Sequence, residues 1–361
     1  MIIAVLGGGS GGHAMAADLA LRGFDVKFYE VHEFEEDFAP VIRSGGIEIT
    51  GVGRTGVAKL KKATTDIKEA VKGADVINVV TPAFAHETFY TRLAPHLEDG
   101  QIVVTHNGCF GSLQLSNILK GMKIDKDIMI GETSILVYAC KKIAPGKVNM
   151  GGIKSMVSFA TLPASDTSKA LKVINALFPQ FIPATNVLET SLENLNFVLH
   201  PPVMLLNAGR IEDTAGNFLF YINGVTPSIS RVAEEFDNER IVVEKALGLK
   251  PTSTKEWLTK MYGSKGKSLH EVIQDTKPYH DPIGGKAPSS FAFRYITEDV
   301  PYGLVPIASL GNLLNVPTPM AKALIHIASV INQTDYWREG LTVEKMGLAG
   351  KTAKQIKESV S

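Results

Sequence analysis

Cysteine is nearly missing from this sequence. Only Cys109 and Cys140 occur among 361 residues, far apart and in no CxxC pair. That excludes a disulfide framework and a cysteine-rich zinc site, and it matches a reducing cytosol. Net charge is missing as well, because 37 Lys and Arg balance 37 Asp and Glu. A neutral chain has no broad field with which to capture nucleic acid or an acidic membrane surface, although a local basic pocket for a small anion remains open. No apolar run is long enough to span a bilayer. The run Ile2-Ile3-Ala4-Val5-Leu6 is too short for a secretory leader and lacks its basic flank. The expectation is a soluble, cytoplasmic protein with no nucleic-acid or membrane partner. HExxH and dense His/Asp/Glu clusters are absent, so no metal is expected, and without GxSxG nothing suggests a serine hydrolase.

The length exceeds one average domain, so two domains are expected. Ile2 to Leu6 reads as a buried strand, followed by the turn Gly7 to Gly12 and a helix from His13 to Arg22. Further β-rich runs cover Asp25 to Glu30, Ala74 to Thr81, Gln101 to Thr105 and Asp127 to Gly131, separated by helical or polar segments. Strands alternating with helices imply a parallel sheet with right-handed crossovers. Val137 to Ala160 reads as further strands with a hairpin about Pro145-Gly146, and Ser165 to Leu177 as a helix. Beyond Val187 long helical runs dominate: Leu188 to Asn207, Ser228 to Leu247, Thr254 to Met261 and Pro319 to Gln333. A loop-rich stretch from Lys265 to Ser290 carries Pro278, Pro282, Gly284, Gly285 and Pro288. The fold class read from this pattern is α/β: an N-terminal Rossmann-type doubly wound parallel sheet over residues 1–186, then a mainly α-helical second domain over residues 187–361.

Gly7-x-Gly9-x-x-Gly12 follows a strand and opens a helix, the context that a dinucleotide fingerprint requires. Gly7 permits the tight turn, Gly9 lets backbone approach a pyrophosphate, and Gly12 lets helix and strand pack closely. The helix N-terminus adds partial positive charge. Glu30 ends the second strand 21 residues beyond Gly9, where a carboxylate accepts hydrogen bonds from ribose hydroxyls and repels a 2′-phosphate, which favours NAD over NADP. Lys27 and Arg54 stand as alternative phosphate partners. Thr81-Pro82-Ala83 lies at the end of a later strand and either lines the same crevice or simply turns the chain.

Hydride chemistry needs a group that gives or takes a proton, and histidine suits neutral pH. His200, in Asn196-Phe197-Val198-Leu199-His200-Pro201-Pro202, is a polar group among apolar neighbours and must find a partner. Spacing alone favours a structural histidine; the two prolines, expected to break the helix and expose it, favour function. A carboxylate partner comes from Asp299, Glu298 or Asp281, which the residues alone do not separate. His106, beside Asn107, reads equally as a nicotinamide neighbour or a polar strand end. His13 reads as incidental to the phosphates, and Arg294 as an ordinary surface arginine.

Six segments together carry a family likeness: LGGGSGGHAMAADLA from Leu6, GETSILVYAC from Gly131, NFVLHPPVMLLNAGR from Asn196, YINGVTPSIS from Tyr221, RYITEDVPYGLVPI from Arg294 and NVPTPM from Asn315. Over nearly its whole length the chain resembles the opine dehydrogenases. The His-Pro and RYxxEDVxxGLVP segments are far more specific than the glycine turn. The resemblance implies reduction, by NADH, of the imine formed between an amino acid and a 2-oxo acid such as pyruvate. It implies His200 as proton donor and substrate anchor with Asp299 as its partner, and Arg294 reaching the cofactor pyrophosphate or a substrate carboxylate. It also implies Glu132 and Thr133 as substrate contacts, and Asn107 at the neighbouring strand end is taken as a further one. A homodimer is one assembly this reading allows.

Two alternatives differ in class. A two-domain dehydrogenase of simple ketones, of the ketopantoate reductase or glycerol-3-phosphate dehydrogenase type, generally carries a lysine where the second domain begins. Between Val187 and Arg210 this chain has no lysine. A non-catalytic NAD sensor would show no amine-dependent NADH oxidation.

Overall fold

Alternate residues of the first strand face opposite ways. Ile3 and Val5 belong to one buried apolar cluster, Ala4 and Leu6 to another. A strand apolar on both faces must be covered on both, which demands helices or a second sheet on each side. The computed structural model describes residues 1–281 and 285–361. Pro282 and Gly284, expected in the loop-rich stretch, lie outside the described residues. The chain divides into two compact units, one of Met1–Ser191 with Ser359–Ser361 and one of Leu192–Glu358.

The first unit's strands, in chain order, are β1 (Ile2–Leu6), β2 (Asp25–Tyr29), β3 (Gly46–Gly51), β4 (Gly56–Lys59), β5 (Lys62–Thr64), β6 (Val76–Val79), β7 (Ile102–Thr105), β8 (Met129–Thr133), β9 (Tyr138–Ala144), β10 (Lys147–Ile153), β11 (Val157–Leu162) and β12 (Phe181–Pro183). Eight form one sheet in the order β12-β11-β8-β7-β6-β1-β2-β5. From β5 to β8 every pairing is parallel; β11 runs antiparallel to β8. Strand order reverses between β1 and β6, which opens a crevice at their carboxyl ends. The doubly wound sheet thus stands as read from the sequence.

Four strands make a second sheet, β4-β3-β10-β9, that the sequence reading did not anticipate beyond its hairpin. The hairpin β9–β10 turns at Gly146, whose φ of 71° suits glycine. Strands β4 and β5 are short, and β4 is mostly exposed. Their weak alternation explains why they escaped notice.

In the second unit the described residues form helices, the longest being Pro227–Ala246 and Pro319–Asn332. Thr226 accepts the amide of Ile229 and Pro227 occupies the first turn, which starts the longer one cleanly. The run expected as one helix from Leu188 to Asn207 is two, Val187–Leu192 and Asn196–Leu206. Contrary to expectation, Pro201 and Pro202 do not end the second of these; they lie inside it. Missing amides remove two hydrogen bonds, but near-complete burial of Phe197 to Leu205 holds the helix together.

Candidate active site

In the first unit the expected cofactor residues gather at the carboxyl ends of β1 and β2. A Cβ on Gly12 would stand 1.7 Å from the carbonyl oxygen of Gly7, so no other residue fits there. Gly7 has φ 112° and packs on the end of β6, where a Cβ would meet Val80 O at 2.5 Å. A Cβ on Gly9 would meet nothing within 4 Å, so that face of the turn is open. The helix Ser10–Leu21 begins there without a side-chain cap, leaving amide dipole for an anion. Glu30 accepts the amide of Gly8 at 2.7 Å with Oε2 and that of Val31 at 2.8 Å with Oε1. Burial pushes its carboxyl above the usual range, against those two amides. The carboxylate therefore shapes the glycine turn. An open glycine, an uncapped helix and a neighbouring carboxylate fit a dinucleotide.

Other groups near the ends of these strands were left open by sequence or went unmarked. Lys27 is engaged by the carbonyls of Glu69 and Lys72. Lys142, which no motif marked, pairs with Asp37 and lies 3.4 Å from the carbonyl of Gly8. Its amide donates to Ser10 Oγ at 2.9 Å. His13 is structural: Nδ1 donates to Gly9 O at 3.0 Å and Nε2 accepts the amide of Gly146 at 3.3 Å. Burial drops its pKa to about 4. His106 is sealed in the core against Phe178 and Phe181, with Nε2 on Asn78 Oδ1 at 2.9 Å. Its pKa falls to about 3 through burial. Thr81 is buried at the end of β6, and its hydroxyl finds no partner among the described residues.

Asn107, Glu132 and Thr133 also come together in this unit, where β7 and β8 end. Asn107, Cys109 and Phe110 all have positive φ, 66°, 43° and 62°, so this turn stores backbone strain. Glu132 pins it from below. Fully buried, it accepts the amide of Ser112 at 3.0 Å and the hydroxyls of Thr190 at 2.8 Å and of Ser191. Gly108 packs so tightly on this carboxylate that a Cβ would stand 2.5 Å from Oε1. Burial raises the Glu132 carboxyl above its ordinary value, with those donors opposing. Thr133 Oγ1 accepts the amide of Asn107 at 3.2 Å and donates to Ile135 O at 3.0 Å.

In the second unit His200 meets Asp299. Nδ1 donates to Oδ2 at 2.6 Å, with both side chains almost wholly buried. Of the three carboxylates left open by sequence, Asp299 is the one on the imidazole; Glu298 instead pairs with Arg294 Nε at 2.9 Å. Asp299 directly precedes a π-turn, Val300–Leu304, a rare element that re-aims the chain. Within it Gly303 abuts the helix carrying His200: a Cβ there would lie 2.5 Å from Phe197 Cβ. That close approach sets the distance between acid and imidazole. On its other side His200 Nε2 lies 2.7 Å from Tyr221 Oη, and Tyr295 stacks on the ring at 3.6 Å. Burial lowers the His200 pKa, and Asp299 resists that shift. Arg294 leaves about half of its side chain exposed, 49%. Tyr221 and Tyr295 were missed as site residues although both lie in segments that carried the family likeness.

Chemically, a carboxylate-held imidazole is a general acid–base, and a glycine turn on an uncapped helix is a dinucleotide cradle. Residues 2–134 match the family described as NAD-dependent glycerol-3-phosphate dehydrogenase N-terminus, and residues 183–332 the NAD/NADP octopine/nopaline dehydrogenase alpha-helical domain. An opine dehydrogenase of Arthrobacter sp. (strain 1C) is 39% identical over 99% of this chain and 98% of its own. A vitopine synthase of Allorhizobium ampelinum is 26% identical over 99% of each. The fold is shared with octopine dehydrogenase solved with NADH and L-arginine, at TM-score 0.81 and 23% identity over 99% of this chain and 97% of that one. An uncapped glycine turn, a His–Asp pair and likeness along the full length converge: this chain belongs to the opine dehydrogenase family of NAD-dependent oxidoreductases acting on CH–NH groups.

Proposed function

We propose that the chain condenses the α-amine of an amino acid with a 2-oxo acid such as pyruvate and reduces the product to a secondary-amine dicarboxylic acid. The observation that carries this reading is the buried imidazole of His200, held by Asp299 on one nitrogen and bonded on the other. Relatives named opine, octopine and tauropine dehydrogenase support it, as do structures of octopine dehydrogenase with NADH and either L-arginine or pyruvate.

Amine attack on the keto carbon gives a carbinolamine, which must lose its hydroxyl as water before reduction. His200, as imidazolium, supplies the proton that makes this hydroxyl a leaving group, and Asp299 stabilises the charged ring. A bound reduced nicotinamide supplies the hydrogen and electron pair that complete the reduction. Gly7, Gly9 and Gly12 with the helix start hold the pyrophosphate in this reading, and Glu30 the adenosine ribose. Arg294 pairs with a carboxylate of the substrate or with the pyrophosphate. Asn107, partly exposed, contacts substrate; the fully buried Glu132 and Thr133 hold its turn in place.

The test is NADH oxidation with pyruvate against a panel of amino acids. Turnover that requires both partners is expected; equal oxidation with the oxo acid alone would refute the reading in favour of a simple-ketone reductase. A cytoplasmic location and a homodimer belong to the same proposal, and sedimentation velocity at micromolar concentration decides the dimer.

A further inference from the structure

His200 has no unoccupied nitrogen. Nδ1 faces Asp299 at 2.6 Å and Nε2 faces Tyr221 Oη at 2.7 Å. One ring face is covered by Tyr295, nearly parallel at 3.6 Å, and Phe220 approaches edge-on at 6.1 Å. The histidine is only 5% exposed, whereas Tyr221 is partly exposed. Among the described residues, a proton leaving this imidazole without breaking the Asp299 pair has one polar route, through the phenol.

The direction of that hydrogen bond follows the charge on the ring. A carboxylate only accepts, so Nδ1 carries a proton in both states. When the ring is neutral, Nε2 is an acceptor and Tyr221 must donate. When the ring is an imidazolium, Nε2–H donates to Oη, and the phenol's own hydrogen turns away from the ring. The tyrosine thus has a hydrogen to give only when His200 is charged, to substrate or to the hydroxyl of Tyr295 beside it.

The positioning of Tyr221 is rigid. Its short helix, Phe220–Gly224, is tied to the helix of His200 by Asn207, whose Nδ2 donates to Val203 O at 2.8 Å and to Gly224 O at 3.0 Å. Tyr279 stacks on its ring at 4.0 Å and 21°. Gln274 Nε2 donates to Ile222 O at 3.0 Å.

We propose that Tyr221 is a proton relay, handing a proton to the substrate oxygen as it receives one from His200. The proposal rests on the functional reading above. In the step, the Oη–H bond breaks toward the carbinolamine hydroxyl while the Nε2 proton moves onto Oη. The C–O bond breaks, its electron pair leaves with water, and the nitrogen lone pair forms the C=N bond. His200 ends neutral, Tyr221 is a phenol before and after, and solvent later restores the imidazolium proton. Desolvation, with Tyr295 and Tyr279 beside it, holds the phenol well above its ordinary pKa, which disfavours a free tyrosinate and favours the two transfers moving together.

Tyr221→Phe in the full chain keeps the ring and its stacking and removes only the hydroxyl. Turnover with NADH, amine and 2-oxo acid is expected to fall about 100-fold in kcat, with KM and NADH affinity held. The kcat in H2O–D2O mixtures is expected to bow for the wild type, from two protons in flight, and to become linear in the variant. Unchanged or faster turnover overturns the relay and makes Tyr221 a cap that substrate displaces. A second readout needs no turnover: at a pH where His200 is neutral, the ¹⁵N resonance of its Nε2 in the free protein should move downfield in Tyr221→Phe as its hydrogen bond is lost. An unmoved resonance overturns the relay too. Absence of amine-dependent oxidation in the wild type removes the functional reading, while the nitrogen resonance still decides the hydrogen bond by itself.

Discussion

Asp299→Asn isolates the charge in the dyad while nearly preserving shape. Asp299 Oδ2 stands 2.6 Å from His200 Nδ1, with side-chain exposures of 5% and 6%. Unit charges at that separation attract by about 6 kcal/mol at an effective dielectric of 20. Desolvation offsets part of this, and the remaining preference for imidazolium is on the order of 3–5 kcal/mol, or about 10²–10⁴ in rate. A second effect acts in the same direction. An asparagine amide can donate to Nδ1, which shifts the ring proton to Nε2 and alters the acid–base roles. Steady-state kcat should fall by about 10²–10⁴, with NADH affinity by fluorescence titration within about twofold of wild type. The pH profile gives an independent check. Burial already depresses the His200 pKa and Asp299 opposes it, so removing the carboxylate depresses it further. The protonated form is the acid, so activity is lost as pH rises through that pKa, and in the variant this loss begins at lower pH. A kcat within about threefold of wild type across the pH range would refute the reasoning.

Two further outcomes concern stability. Glu132→Ala strips the acceptor from the Ser112 amide and the Thr190 and Ser191 hydroxyls, all buried; about 3–5 kcal/mol of destabilisation is expected, seen as an earlier guanidinium transition, and an unmoved transition would refute the anchor role. His13 and His86 have pKa values lowered from 6.5 to about 4 and His106 to about 3, all chiefly by burial. The unfolded chain therefore binds protons first, and stability is lost as pH falls from 6.5 toward these values, by about 2 kcal/mol per histidine at pH 5. NMR titration of the ring nitrogens between pH 7 and 5 checks it, and protonation of these rings near pH 6.5 would show that they are not held neutral.

Much of this protein is written in local pattern. Ile2 to Leu6, the glycine turn and Glu30 lie within 30 residues, so their pattern is legible without the rest of the chain. The buried strands β1, β6 and β7 read plainly because both faces must be apolar. Sequence could say that His200 needs a partner but not which carboxylate, since Glu298 and Asp299 are adjacent in the chain. A π-turn and the contact of Gly303 with Phe197 made that choice, sending Asp299 to the imidazole and Glu298 to Arg294. Tyr221 and Tyr295 enter only through packing, and no spacing rule reports a ring stacked from 95 residues away. Burial likewise decided that His13 and His106 are structural. Periodicity and turn chemistry act between near neighbours, whereas desolvation and hydrogen-bond partners depend on residues that meet only once the chain has folded.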